Sequence, residues 1–254
     1  MKGREKLAAY AVMTNGNWSA IAAHIHNHTE PQAIVKDAYI TVLDDLYPAA
    51  LRTLRYPPWV LFYRGNAGLL KIPAVSIVGS RNACEYGLAS VHRIITVLGT
   101  GFVYVSGLAK GIDAAVHREA IISGAHTIGV IGSGLGTVYP RENSSLYDVM
   151  GNDQLILSEY PHDTGIRRDH FPWRNRIIAA LGNPLIVAQA ALKSGTMLTV
   201  NEALALSRDV CCVPYPYGSG EGAGCNLLIS QGAQILYDDE QLILLAKSVG
   251  STLS

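Results

Sequence analysis

The chain has 254 residues, 49% of them hydrophobic, with 20 basic against 20 acidic side chains and a formal net charge of zero at pH 7. That length suits one large α/β domain with a modest extra element, and the charge balance excludes a uniformly basic nucleic-acid binder while leaving room for a local basic stripe. No apolar run approaches the roughly 18 residues of a spanning helix, and Met1-Lys2-Gly3-Arg4-Glu5-Lys6 lacks a signal-peptide core, so a cytoplasmic protein without membrane contact is expected.

In chain order, residues 1–43 read as a short helical segment: Leu7 to Met13 as one helix, Asn15-Gly16-Asn17 as a turn, Trp18 to His26 as a second helix. His24 and His28 share a helix face at a spacing that metal ligands use, but no well-placed third ligand accompanies them and Pro31 ends any helix there, so no metal site is expected. Residues 44–254 read as the main domain. Val60 to Asn66 is an expected edge strand after a proline-punctuated entry.

Val75 to Arg81 is a β-branched run that ends in a glycine turn carrying one hydroxyl and one guanidinium, the pattern of a buried parallel strand opening into a ligand turn. The arrangement recurs. Phe102 to Val105 runs into Ser106-Gly107, Thr127 to Ile131 into Gly132-Ser133-Gly134, Leu155 to Leu157 into Ser158, Leu185 to Val187 towards Ser194-Gly195-Thr196, and Val210 to Val213 into Pro214. Between them lie helical stripes: Leu88, Val91, Ile95 and Leu98, then Ile112, Val116 and Ala120, then Met197, Val200 and Leu204. Such alternation predicts βαβ crossovers and an α/β, Rossmann-like, doubly wound, mostly parallel sheet, with ligands outside the carboxyl ends of the strands. A glycine-rich loop, Gly218 to Gly224, precedes an apolar finish.

Catalytic signatures are weak. No Gly-x-Ser-x-Gly elbow, zinc helix or Gly-Lys-Ser/Thr phosphate loop occurs, and in Gly132-Ser133-Gly134-Leu135-Gly136 the third glycine falls one residue early for a dinucleotide fingerprint. Cys84, Cys211, Cys212 and Cys225 show no metal-ligand spacing and read as free thiols. No catalytic residue and no cofactor are therefore expected, and His117 reads as structural or hydrogen-bonding.

Anions fit better. Gly79-Ser80-Arg81, Ser106-Gly107, Lys110-Gly111 and Ser194-Gly195-Thr196 place small donors and backbone amides at strand ends or helix starts, where phosphate is favoured. Any one such turn is simply a βα connection, but several in series, two with basic residues, point to anion sites. Phe171, Trp173, Arg174, Asn175 and Arg176 couple forked phosphate donors to aromatic faces, as single-stranded nucleic acid requires; this stretch alone reads equally as a solvated loop with one packing aromatic.

Val78-Gly79-Ser80-Arg81, Ser106 to Asp113 with His117, Gly132 to Leu135 with Tyr139-Pro140 and Asn143, Ser158 to Pro161, Phe171 to Ala179, Ser194 to Thr199 and Gly224 to Ile229 together resemble the DNA-processing protein A family (DprA, also called Smf). The similarity spans roughly residues 44–238. The resemblance implies a Rossmann-like domain that binds single-stranded DNA, forms a homodimer and loads the RecA recombinase onto incoming strands in natural transformation, with no reaction of its own. It implies phosphate contact by Arg81, a second anion site lined by Ser106, Gly107 and Lys110, a groove flanked by Arg174 and Arg176, and helix-start amides from Ser194 to Thr196.

Departures from the family pattern are Trp173 at a commonly basic position, Gly136-Thr137 for an Asp-containing step, Gln189 for a common Glu, and Pro214-Tyr215-Pro216 for Pro-Gly. The first helical segment is short for the family's sterile-alpha-motif-like domain, and a form without the carboxy-terminal winged helix is expected. The alternative reading is an enzyme on a related scaffold, a nucleoside-monophosphate phosphoribohydrolase, whose Pro-Gly-Gly-x-Gly-Thr-x-x-Glu is half echoed by Gly134 to Thr137 without the glutamate. A dinucleotide oxidoreductase is a third.

Overall fold

Apolar β-branched runs become strands wherever a glycine or hydroxyl turn ends them, and the stretches between coil into helices. A computed structural model describes residues 3–250. The elements are α1 (Gly3–Met13), α2 (Trp18–His26), β1 (Ala38–Thr41), α3 (Ala49–Arg52), β2 (Val60–Gly65), β3 (Ala74–Gly79), α4 (Glu85–Leu98), β4 (Val103–Ser106), α5 (Ile112–Ile122), β5 (His126–Ile131), α6 (Ser144–Asp153), β6 (Leu155–Ser158), α7 (His170–Leu181), β7 (Leu185–Gln189), α8 (Thr196–Ala205), β8 (Val210–Cys212), α9 (Ala223–Ser230), β9 (Gln234–Ile235) and α10 (Asp239–Gly250).

One nine-stranded sheet runs β1-β2-β6-β5-β4-β3-β7-β8-β9. β2 is antiparallel to both β1 and β6, and the other pairings are parallel. The chain steps from β3 through β4 and β5 to β6, then returns through α7 to β7 on the other side of β3. This is a Rossmann-like, doubly wound, mostly parallel α/β fold. Right-handed crossovers put α4, α5 and α6 on one face and α7 and α8 on the other, where α4 packs on α5 and α7 on α8.

The winding reverses between β3 and β7, so their outgoing loops diverge and leave a crevice at their carboxyl ends. Pairing is regular from Ser76–Leu185 to Val78–Val187, then shifts so that Gly79 faces Gln189. That irregularity lies at the mouth of the crevice, where such bulges re-aim the chain.

Three expectations need correction. β2 is internal, because β1 pairs along it and takes the edge; this also ties residues 38–41, within the expected helical segment, into the sheet. The inner stripe of α4 is Gly87, Val91, Ile94 and Ile95, leaving Leu88 exposed. In α8 the buried set is Thr196, Thr199, Val200 and Ala203, with Leu204 outward. In both helices the apolar residues outnumber the positions that face the core.

The first two helices pack Leu7, Tyr10 and Ile21 on Val60 and Phe62 of β2. His24 Nδ1 lies 2.8 Å from Thr29 Oγ1, and its ring stacks on Tyr10. Among the described residues no cluster could hold a metal, and no helix is long and apolar enough to cross a membrane. Cys211, Cys212 and Cys225 are buried free thiols and Cys84 is half-buried.

Candidate nucleic-acid interface

The crevice at the β3/β7 switch has a volume of about 610 Å³ and takes its walls from the turn after β3, the loop after β4, the first turns of α7 and the start of α8. Its floor is pinned backbone. The Ser80 N–H donates to Gln189 O at 2.9 Å, and Ser80 O accepts from the Ile112 N–H at 3.0 Å, so the turn is held between β7 and the start of α5. Gly111 adopts φ +68°, and a β-carbon there would lie 2.7 Å from Arg81 O. Only glycine lets the two loops come this close. Locked backbone on both sides leaves the Arg81 side chain free to project, exposed, over Phe171 at 5.6 Å from guanidinium carbon to ring centroid.

Two buried side chains hold the loop from Gly107 to Gly111. His117 Nε2 accepts from the Leu108 N–H at 3.3 Å while Nδ1 lies 2.6 Å from Thr127 Oγ1, which donates to Tyr104 O. The accepting Nε2 requires the neutral tautomer with its proton on Nδ1. Burial pushes the His117 imidazole down to about 3, which keeps it neutral. Asn143 Nδ2 donates to Leu108 O at 3.1 Å and to Ala109 O at 3.2 Å, and Arg118 donates to Asn143 Oδ1. These bonds fix Leu108 at φ +53°, a conformation that costs a non-glycine residue on the order of 1–3 kcal/mol.

α7 supplies the other wall. A helix sets residues two apart on nearly opposite sides, so Phe171, Arg174, Asn175 and Ile178 reach the crevice while Trp173 and Arg176 turn away. Arg174 is 4% exposed, and its Nη1 donates to Gly107 O at 2.7 Å and also to Val130 O. Its Nε has no hydrogen-bond partner among the described residues. Beside it, burial pushes the Asp113 carboxyl above the usual carboxylate range, opposed by the Arg174 guanidinium. Tyr139 lies 5.7 Å from Phe171, centroid to centroid, extending an aromatic shelf into an adjoining pocket of about 200 Å³ that Lys110 also lines.

The model of the family described as DNA recombination-mediator protein A matches residues 38–247. The chain belongs to this DprA/Smf family. The DNA processing protein DprA of Streptococcus pneumoniae is 44% identical over 203 residues, covering 80% of this chain and 72% of that protein. The X-ray structure of DprA from that organism superposes with a TM-score of 0.80 at 41% identity, covering 88% of this chain and 77% of that one. DprA from Helicobacter pylori, solved to describe its single-stranded DNA binding mode, gives 0.73 at 29% identity over 85% of this chain and 96% of that one.

Of the residues that the DprA/Smf resemblance marks, the crevice gathers Gly79, Ser80, Arg81, Phe171, Arg174, Asn175, Ser194, Gly195 and Thr196, with Gly107 and Lys110 in the adjoining pocket. Lys110 there pairs with Glu142 at 2.5 Å on the surface. Ser106 is fully buried and donates its hydroxyl to Ile77 O at 2.7 Å, so it braces β3 against β4 and does not face the crevice. Gly111 serves through its backbone. Ser194 Oγ accepts from the Thr196 N–H at 3.2 Å, a side-chain turn that leads into α8.

Arg176 and Trp173 lie elsewhere. Both Arg176 and Glu159 are 4% exposed, and Arg176 Nη2 donates to Glu159 Oε1 at 2.7 Å. Its guanidinium covers the Trp173 ring at 4.2 Å, and Trp173 meets Tyr56 at 5.5 Å. Trp173 opens onto a second cleft of about 640 Å³, lined also by Asp163, Arg167 and Asp169, where Arg167 pairs with Asp169 at 2.9 Å and Lys36 with Asp163 at 2.5 Å. Gln189 accepts from the Cys84 N–H at 2.9 Å and donates to Asn82 O at 3.3 Å, a pair of bonds that an ionised carboxylate could not make. The crevice also holds Asn82, Tyr139 and Arg168. For Arg168 the signal was its place in an arginine-rich polar stretch.

Proposed function

We propose that the chain binds single-stranded DNA along the switch-point crevice, that it does so as a cytoplasmic homodimer without a reaction of its own, and that it protects incoming strands and loads RecA onto them during transformation. The observation that carries this reading is the meeting of Arg81 with Phe171 over the crevice. An exposed guanidinium follows the phosphate backbone and the ring accepts a base. Duplex DNA keeps its bases stacked on each other, so it gains nothing from the Phe171 and Tyr139 faces. Family membership and the binding mode for which the Helicobacter pylori relative was solved support the same polymer.

The test is fluorescence anisotropy of labelled oligo-dT and of matched duplex titrated with the full chain. The reading expects single strands to be preferred and affinity to fall steeply with salt, because bound phosphates release counterions. Equal binding to duplex, or none to either, overturns it. Sedimentation equilibrium tests the dimer. Faster RecA filament nucleation on coated single strands tests the loading role.

A further inference from the structure

The glycine-rich loop after β8 lies outside the crevice, yet the sheet order sets it alongside. β3, β7 and β8 are consecutive parallel neighbours, so their carboxyl ends form a row with steps of about 4.8 Å. The base of the loop is clamped to the end of β7. The Tyr215 hydroxyl donates to Ala188 O at 2.9 Å, the Gly224 N–H to Ala190 O at 2.7 Å, and Asn226 brackets the Tyr215 backbone with two hydrogen bonds of 3.0 Å.

On this rigid base stand two tyrosines. Tyr217, between Pro216 and Gly218, is wholly exposed. Tyr86, in the first turn of α4, is 49% exposed, donates its hydroxyl to Pro214 O at 3.2 Å and lies edge-on to Tyr215 at 5.0 Å. The Gln189 side chain fixes the backbone at Asn82 and Cys84, so the start of α4 keeps a set position beside the Arg81 turn.

The charges here differ from those in the crevice. Glu85 directly precedes Tyr86 and Glu221 lies in the same loop as Tyr217, both exposed, as is Lys193 in the loop after β7. Such a surface does not hold phosphates. Two aromatic faces on a fixed base hold nucleobases, because stacking needs a ring and tolerates any base.

We propose that Tyr86 and Tyr217 form a second base-stacking subsite, which extends the single-strand track from the Arg81–Phe171 crevice past the end of β8. It rests on the single-stranded DNA reading of the crevice. The subsite begins two strand steps, about 10 Å, beyond β3, so an oligomer that only fills the crevice does not reach it.

The experiment compares labelled dT2 and dT20 by fluorescence anisotropy across salt, with the full wild-type chain, Tyr217→Ala and Tyr217→Phe. The expected result is about a tenfold loss of dT20 affinity in Tyr217→Ala, with an unchanged salt slope, unchanged dT2 binding, and wild-type behaviour in Tyr217→Phe. Tyr217 contributes nothing to the core, so the variant folds. Unaltered dT20 binding by Tyr217→Ala overturns the subsite and leaves the crevice standing. So does a loss that tracks dissociation of a dimer in sedimentation equilibrium, since the ring then belongs to an interface between copies of this chain. A wild-type chain that binds neither oligomer overturns the crevice reading and the subsite together.

Discussion

The guanidinium of Arg81 stands over the ring of Phe171 at 5.6 Å, joining the turn after β3 to the first turn of α7 across the mouth of the crevice. The two residues have different roles towards a single strand. Phe171→Ala removes a stacking face, worth about 1–3 kcal/mol per base, without removing charge. Oligo-dT affinity is expected to fall by that amount while the slope of log affinity against log salt stays as in the wild type, read from anisotropy at several salt concentrations.

The Arg176–Glu159 pair is a stability element. Both partners are 4% exposed, so Glu159→Gln leaves a buried guanidinium uncompensated, at a cost of about 3–5 kcal/mol. Urea unfolding at neutral pH should show that loss. Burial pushes the Glu159 carboxyl up, and Arg176 opposes this.

Gly111 is a backbone requirement. At φ +68° a side chain is strained, and its β-carbon would press on Ser80 O and Arg81 O, which cannot swing aside. Gly111→Ala should lower the unfolding free energy by about 1–3 kcal/mol and weaken oligo-dT binding, because the loop it joins carries Lys110.

His117 gives a pH dependence of defined sign. An unfolded imidazole titrates near 6.5, whereas burial pushes His117 down to about 3. Above about 6.5 neither state is charged and the full stability is present. As pH falls from there towards the folded value the unfolded chain binds the extra proton, and stability is lost progressively. Nitrogen NMR of the imidazole should show the neutral Nδ1–H tautomer persisting at pH 5; a charged ring at that pH would contradict the buried His117–Leu108 bond.

The strand ends were legible because a β-branched run closed by Gly79, or by Ser106-Gly107, has few other readings in a buried parallel sheet. The crevice followed from them, since sheet order alone brings the ends of β3 and β7 together. The stretch from Phe171 to Arg176 was harder. Its arginines and rings declare their chemistry, but Pro172 and the polar run before it hide a helical period, and without the helix nothing separates Arg174 from Arg176. The helix settles it by geometry, turning the first towards Gly107 and the second towards Glu159. Ser106 shows the same limit: the residue type marks a donor, while only the structure shows its hydroxyl spent on Ile77 O. Leu88 and Leu204 were misplaced because apolar residues in α4 and α8 exceed the buried positions.

The central claim is that single strands run through the switch-point crevice with Arg81 on the phosphate backbone. Its most direct test is the salt dependence of oligo-dT binding in wild type and Arg81→Ala, side by side. The account predicts weaker binding by Arg81→Ala, with a salt slope shallower by about one. An unchanged affinity and slope in Arg81→Ala would place the strand elsewhere on the molecule.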